Sequence, residues 1–277
     1  MANKMRIAVT GAAGLVGSRI VELLSSSYEI IPLTHTDIDI TDQSNVESTI
    51  NPLTFDYLIH CAAYTDVDGA EQNTELALRI NVEGTKKISE VCRQKEIKLI
   101  YISTDFVFDG SNPPYFEDSI PHPLSAYAKS KYQGEQIVKD TAMIVRIAYP
   151  YRTSFPKSDF ARTIKKMLQQ GKEIKAVTDS LFTPTHIDDI ASALEYLISH
   201  YSHDIFHIVG AQALSPFDAA RIIANQYDLD SSLITPVSFE EFFRGRAKRP
   251  QYSDIRSKKN SFTPMRSFEK GVLSIED

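Results

Sequence analysis

Residues 6–24 read RIAVTGAAGLVGSRIVELL, and the placing of Gly11, Gly14 and Gly17 within that stretch decides the fold. The first five residues form a β-branched apolar run, and the last ten repeat their apolar residues at helical spacing. Glycines between a strand and a helix do three things: they permit a tight turn, they let the backbone approach a pyrophosphate, and they let the helix pack closely on the strand. The helix start then offers unpaired N–H groups to the anion. The spacing is GxxGxxG, not the commoner GxGxxG, which bears on which dinucleotide-binding family is present. A purely structural turn would explain the glycines but not their position between strand and helix.

Working outward, short apolar runs alternate with longer amphipathic ones through the first half of the chain. Candidate strands lie at 5–10, 28–34, 55–62, 97–104 and 142–148. Between residues 73 and 94 the apolar Leu76, Ile80, Ile88, Val91 and Cys92 return every three or four residues, which predicts a helix with one buried face. Strands alternating with helices specify βαβ units and a parallel sheet. The expectation is an α/β fold with a Rossmann-type doubly wound parallel sheet. Residues 1–148 would form the dinucleotide-binding domain. From Tyr149 the alternation loosens, with helical patterns in DFARTIKKMLQQG, HIDDIASALEYLISH and SPFDAARIIANQYD and a short strand in DIFHIVG. Residues 149–277 are therefore read mainly as a smaller mixed substrate-binding lobe, with some segments returning to the sheet.

Composition narrows the function classes. A chain of 277 residues with a formal net charge of −6 is a poor match for a general binder of phosphate backbones, so nucleic acid is not an expected partner. No run is long enough for a membrane span and no apolar leader precedes the first strand, which predicts a soluble, cytoplasmic protein. Cys61 and Cys92 are the only cysteines, and both sit in apolar runs that favour buried free thiols. The histidines form no HExxH pattern, so no catalytic metal is expected.

Three polar stretches carry the chemistry. After the second strand the chain reads PLTHTDIDITD: Thr34, His35 and Thr36 stand where an acid would hold the adenosine ribose of NAD. Such an acid would repel the extra phosphate of NADP, so its absence leans toward NADPH, although Asp37 or Asp39 remain within reach and no arginine is present. The fourth strand ends in STDFVFDG, which puts Ser103, Thr104 and Asp105 at the sheet edge where open α/β folds build their sites. Then HPLSAYAKSKYQGEQ places Tyr127 one helical turn before Lys131, close enough for the ammonium to favour the phenolate. YxxxK alone is short, and a solvated helix face would read the same way.

Taken in this order, the glycine loop, the strand-end Thr104 and YxxxK resemble the extended short-chain dehydrogenase/reductase family. CAAYTDVDGAE (61–71), INVEGT (80–85), STDFVFDG (103–110), YAKSKYQGE (127–135), FTPTHIDDIA (182–191) and KRPQYSDI (248–255) are similar to its dTDP-4-dehydrorhamnose reductase group, over nearly the whole chain. The resemblance implies NADPH- or NADH-dependent reduction of the C4 ketone of a nucleotide-diphosphate sugar, a 4-keto-6-deoxyhexose. Tyr127 would supply the proton. Lys131 would lower the Tyr127 pKa and hold the nicotinamide ribose, and Thr104 would donate a hydrogen bond to the developing alkoxide. Asp105 would position sugar hydroxyls or Thr104. Gly11, Gly14, Leu15 and Val16 correspond to the pyrophosphate loop, Asp39 and Ile40 to the adenine side, and Ala62, Ala63 and Tyr64 to the route toward the nicotinamide.

On the substrate side the resemblance places Tyr149 beside the sugar and Arg249, in the RP pair, against the diphosphate. There are departures from the group. Tyr149 stands where a tryptophan is usual, Arg152 where a glycine is common, and Phe106 where a tyrosine is usual. These leave hydride transfer intact and alter pocket shape, hence substrate choice. The same fold and motifs occur in a regulatory subunit of methionine adenosyltransferase, which makes a cofactor-binding regulator the alternative. An epimerase or dehydratase of the same superfamily is a further alternative, and Asp105 followed by Phe106 in place of a second acid points away from dehydration. A homodimer is left open.

Overall fold

The structure, a computed structural model, describes residues 4–276. Strand β1 (Arg6–Thr10) runs through the glycine loop into α1 (Leu15–Leu24), followed by β2 (Glu29–Leu33), α2 (Gln43–Ile50) and β3 (Tyr57–His60). A short α3 (Val67–Gln72) leads to α4 (Thr74–Leu78), which passes through a π-type turn at Arg79–Gly84 into α5 (Thr85–Gln94). Next come β4 (Lys98–Thr104), α6 (Ala126–Val138) and β5 (Ala142–Ile147). All five candidate strands are present, each within a few residues of its expected bounds. The helix expected over 73–94 is present too, but the π-type turn interrupts it and carries the buried Asn81.

The rest of the chain supplies β6 (Pro150–Tyr151), α7 (Phe160–Gln169), β7 (Ile174–Val177), β8 (Thr185–His186), α8 (Ile187–Ser199), β9 (Ile205–His207), α9 (Pro216–Gln226), β10 (Ile234–Val237), α10 (Phe239–Phe243) and α11 (Phe268–Val272). The main sheet is wholly parallel, in the order β2-β1-β3-β4-β5-β9. The winding direction reverses between β1 and β3, and that reversal opens a crevice at the carboxyl ends of the strands. Two small parallel pairs, β10–β7 and β6–β8, stand apart from this sheet.

Strand alternation sends side chains to the two faces of the sheet. Ile7, Val9, Ile59, Ile100, Met143 and Val145 meet Ile20 and Leu24 of α1 and Ile187, Ile190, Leu194 and Ile198 of α8. On the opposite face, Ala8, Leu58, Leu99, Tyr101 and Ile144 meet Val46 and Ile50 of α2, Ile88 and Val91 of α5, and Val138 of α6. Each fully buried aliphatic side chain contributes about 1.5–3 kcal/mol. A third cluster gathers Tyr151, Ala161, Phe182, Ile223, Phe268 and Val272. Among the described residues no helix is long and apolar enough to cross a membrane.

Polar ties join α1 to the later part of the chain. Arg19 makes a two-pronged ion pair with Asp188, at 2.7 and 2.8 Å, in the first turn of α8. Arg152 donates to Ser18 at 2.9 Å and to Glu22 at 2.8 Å, so the residue that replaces the group's glycine reaches across to the cofactor-side helix. Beneath α6, Glu135 and Arg146 form a buried bidentate pair at 2.9 and 2.7 Å, both side chains at most 2% exposed.

Candidate active site

Gly11 has φ +67°, and a Cβ there would lie 2.7 Å from the backbone N of Ala62. Only glycine allows the loop to tuck against the exit of β3. A Cβ on Gly17 would lie 2.4 Å from the Gly11 carbonyl oxygen, so this glycine permits the close approach of α1 to its own loop. Gly14 occupies the N-cap position without a side-chain cap, and no acid lies in the first turn of α1. Its free amides face the crevice with the positive end of the helix dipole.

The crevice is a cleft of about 820 Å³. Of the expected residues it gathers Gly11, Gly14, Leu15, Val16, Asp39, Ile40, Ala62, Ala63, Thr104, Asp105, Tyr127, Lys131 and Tyr149 in its walls. Tyr64 and Arg249 are not part of that lining. The Tyr64 backbone is held by Asn81, which accepts from its N–H at 2.8 Å and donates to its carbonyl at 3.0 Å. Arg249 pairs with Asp68 at 2.8 Å, so its guanidinium is engaged by a carboxylate.

Helix α6 begins where it does because Ser125 caps it, accepting from Ala128 N at 3.2 Å, while Glu71 accepts from Ala126 N at 2.8 Å. This start puts Tyr127 in the first turn and Lys131 in the next, both buried. Lys131 Nζ donates to the Ile102 carbonyl at 2.8 Å and lies 4.2 Å over the Tyr101 ring. Burial lowers its pKa to about 8, against the raising influence of Glu135 and Cys61. Burial also pushes Tyr127 up to about 12, with the Thr104 hydrogen bond acting the other way. The expectation that Lys131 would lower the Tyr127 pKa is therefore corrected here. Desolvation outweighs a cation whose contacts are with a carbonyl and a different ring.

Thr104 Oγ1 donates to Asp105 Oδ1 at 3.1 Å and accepts from Phe106 N at 3.2 Å. Burial raises Asp105 to about 6, opposed by hydrogen bonds from Ser253 Oγ at 2.5 Å and from Thr104. Asp105 thus positions Thr104. Phe106 is edge-on to both Tyr127, at 5.8 Å, and Tyr149, at 5.9 Å, and Tyr149 also meets Phe182 at 4.8 Å. Tyr149 has φ +39°, a left-handed conformation that costs a bulky residue energy. On the adenine side, Asp39 Oδ1 accepts from Thr41 N and Oγ1, both at 2.8 Å. Asp37 turns back to accept from Thr34 N at 2.8 Å.

A dinucleotide fits these residues. The glycine cradle would be filled by any Cβ, and Ser103 Oγ is a buried hydroxyl in the cleft wall with no hydrogen-bond partner. Unpartnered buried hydroxyls are rare, and this one is available to a bound polar group. Sequence reasoning placed Ser103 at the sheet edge without giving it a role, and passed over Ser253 and the Ile102 carbonyl as site groups. Ser103 had a signal, its place at the carboxyl end of β4. The Ser253–Asp105 contact joins residues far apart in the chain and had none.

The chain is similar in sequence and fold to known proteins. A dTDP-4-keto-6-deoxy-D-glucose reductase from Streptomyces niveus is 33% identical over 251 residues, covering 88% of this chain and 86% of that protein. Methionine adenosyltransferase 2 subunit beta from Xenopus laevis is 30% identical over 263 residues, covering 88% and 78%. The solved structure of dTDP-4-dehydrorhamnose reductase from Bacillus anthracis, in complex with NADP, superposes with a TM-score of 0.90 at 34% identity, over 97% of each chain. The family model for the RmlD substrate binding domain matches residues 5–275, and on that extent the chain belongs to that family.

Proposed function

We propose that this chain is an NADPH-dependent oxidoreductase that reduces the C4 ketone of a nucleotide-linked 4-keto-6-deoxyhexose. The observation that carries the reading is the convergence of the glycine loop, Thr104, Tyr127 and Lys131 on one cleft. Gly11, Gly14, Leu15 and Val16 would hold the pyrophosphate, Asp39 and Ile40 would border the adenosine, and Ala62 and Ala63 would line the path to the ring. NADPH, when bound, supplies the hydride.

The protein groups manage the proton. A phenol at about 12 is fully protonated at neutral pH, the form a proton donor needs as a ketone becomes an alkoxide. Tyr127 Oη delivers its proton to that oxygen. Lys131, at about 8, is mostly charged at neutral pH, and its ammonium, anchored on the Ile102 carbonyl, would hold the nicotinamide ribose. Thr104, whose hydroxyl donates to Asp105 in this structure, would turn that proton to the same substrate oxygen as charge develops. Tyr149 would pack on the sugar and Arg249 would meet the diphosphate.

Residues 4–148 then serve the cofactor, and 149–276 mainly the substrate, with α8 and β9 returning to the sheet. A cytoplasmic location is part of the proposal. The test incubates purified protein with NADPH and a panel of dTDP- and UDP-4-keto-6-deoxyhexoses, following loss of nicotinamide absorbance and identifying the product. Oxidation with one of these sugars is the expected result. A chain that binds NADPH, oxidises it with none of them and pulls down a partner protein favours the regulatory subunit of the alternative reading.

A further inference from the structure

Arg249 meets Asp68 fork to fork: Nη1 donates to Oδ1 at 3.0 Å and Nη2 to Oδ2 at 2.8 Å. Asp68 also accepts from the backbone N of Ala247 at 2.9 Å, and the Arg249 guanidinium lies 4.9 Å over the Phe243 ring. One carboxylate on α3 therefore ties Ala247 and Arg249, in the segment that follows α10. The pair stands at the rim of the cleft. Val67, the residue before Asp68, lines it, and Arg249 acts electrostatically on the cleft residue Tyr149. The Asp68 side chain is 43% exposed and that of Arg249 12%, so solvent and a ligand reach the pair from the carboxylate side.

A carboxylate and a diphosphate present the same feature to a planar guanidinium, two oxygens spaced for two parallel N–H bonds. A diphosphate bridging a nucleoside and a sugar carries two negative charges against the single charge of Asp68. We propose that Asp68 is an exchangeable stand-in for the substrate's diphosphate: it keeps Arg249 extended at the rim and yields it when a nucleoside diphosphate arrives. This rests on the reading of the cleft as a nucleotide-sugar site and adds a role for Asp68. Exchange favours dianionic ligands, because a single-charged competitor gains nothing over the carboxylate already in place. Arg246, which also acts electrostatically on Asp68, adds positive charge on the same segment.

The test is calorimetric titration of the full chain, with NADPH present, using dTDP and UDP as probes. Asp68→Asn keeps an acceptor for Ala247 N and removes the competing charge. Its Kd for a nucleoside diphosphate is expected to fall about three- to fivefold, the scale of a partly exposed ion pair, with the Kd for NADPH unchanged. Asp68→Glu restores near-wild-type affinity. Arg249→Ala weakens binding, and Asp68→Asn placed on that background has no further effect. Should Asp68→Asn melt early, Asp68→Ala must show the same direction. Unchanged or weaker diphosphate binding in the Asp68 variants overturns the exchange and leaves the proposed reaction standing. A wild-type protein that binds neither probe overturns the nucleotide-sugar reading and the exchange with it.

Discussion

Lys131→Met removes one buried charge and keeps a side chain of similar reach, so its effect on stability depends on pH in a way the structure sets. Burial takes the ammonium from 10.5 to about 8 in the folded chain. Below pH 8 the lysine is charged in both folded and unfolded chains, and the full cost of burying that charge is present. Between pH 8 and 10.5 the folded protein releases its proton while the unfolded chain keeps it, so wild-type stability rises with pH. At about 1.36 kcal/mol per pH unit the rise totals about 3 kcal/mol. The methionine variant has no such proton. The wild-type minus variant difference in unfolding free energy should therefore move by about 3 kcal/mol toward wild type from pH 7 to pH 10.5. Urea unfolding at intervals of one pH unit measures it, and other titrating groups cancel in the difference. NADPH binding and turnover should weaken together at every pH. A difference independent of pH would refute the assignment of Lys131 as a desolvated ammonium, and unaltered turnover would refute its place in the reaction.

Tyr127→Phe keeps the ring against Phe106 and deletes the proton source, so single-turnover NADPH oxidation should slow by roughly 10²–10⁴ while the melting temperature moves only a few degrees; Thr104→Ala should slow it less. Gly11→Ala drives a Cβ into the Ala62 backbone at a positive φ, and NADPH affinity measured by calorimetry should be lost along with some thermal stability. Glu135→Gln leaves Arg146 buried without its counter-charge, and chemical denaturation should register a loss of about 3–5 kcal/mol.

Much of this was legible in the sequence because local chemistry dictated it. The glycines of the first loop had to be glycines, given a positive φ at one and a sub-van-der-Waals approach at another. The continuous apolar runs of β1, β4 and β5 announced a sheet covered on both faces, as the structure has it. What stayed hidden depended on groups distant in the chain. Lys131 was expected beside Tyr127, yet its ammonium is pinned by a backbone carbonyl of β4, which has no side-chain signature. Arg249 was read as a fork for a diphosphate, and the partner it meets in the structure, a carboxylate on α3, lies far back in the sequence. Spacing rules place neighbours on one element and are silent about which loops two elements bring together.

The return of α8 and β9 to the main sheet bears on how the chain is made. On the ribosome, β1 to β5 emerge first, but one face of their sheet is covered only by α1 until Ile187 to Ile198 arrive to complete the packing on Ile7, Val9, Ile59, Ile100 and Met143. The outer edge of β5 waits longer still, for Ile205 to His207. At roughly 5–20 residues per second the wait lasts several seconds, during which the nascent chain displays a wide apolar surface and an open strand edge. The N-terminal half is thus a natural client for chaperones during synthesis, and a chain truncated just after β5 should precipitate, although the cofactor loop and the strand-end threonine are already present in it.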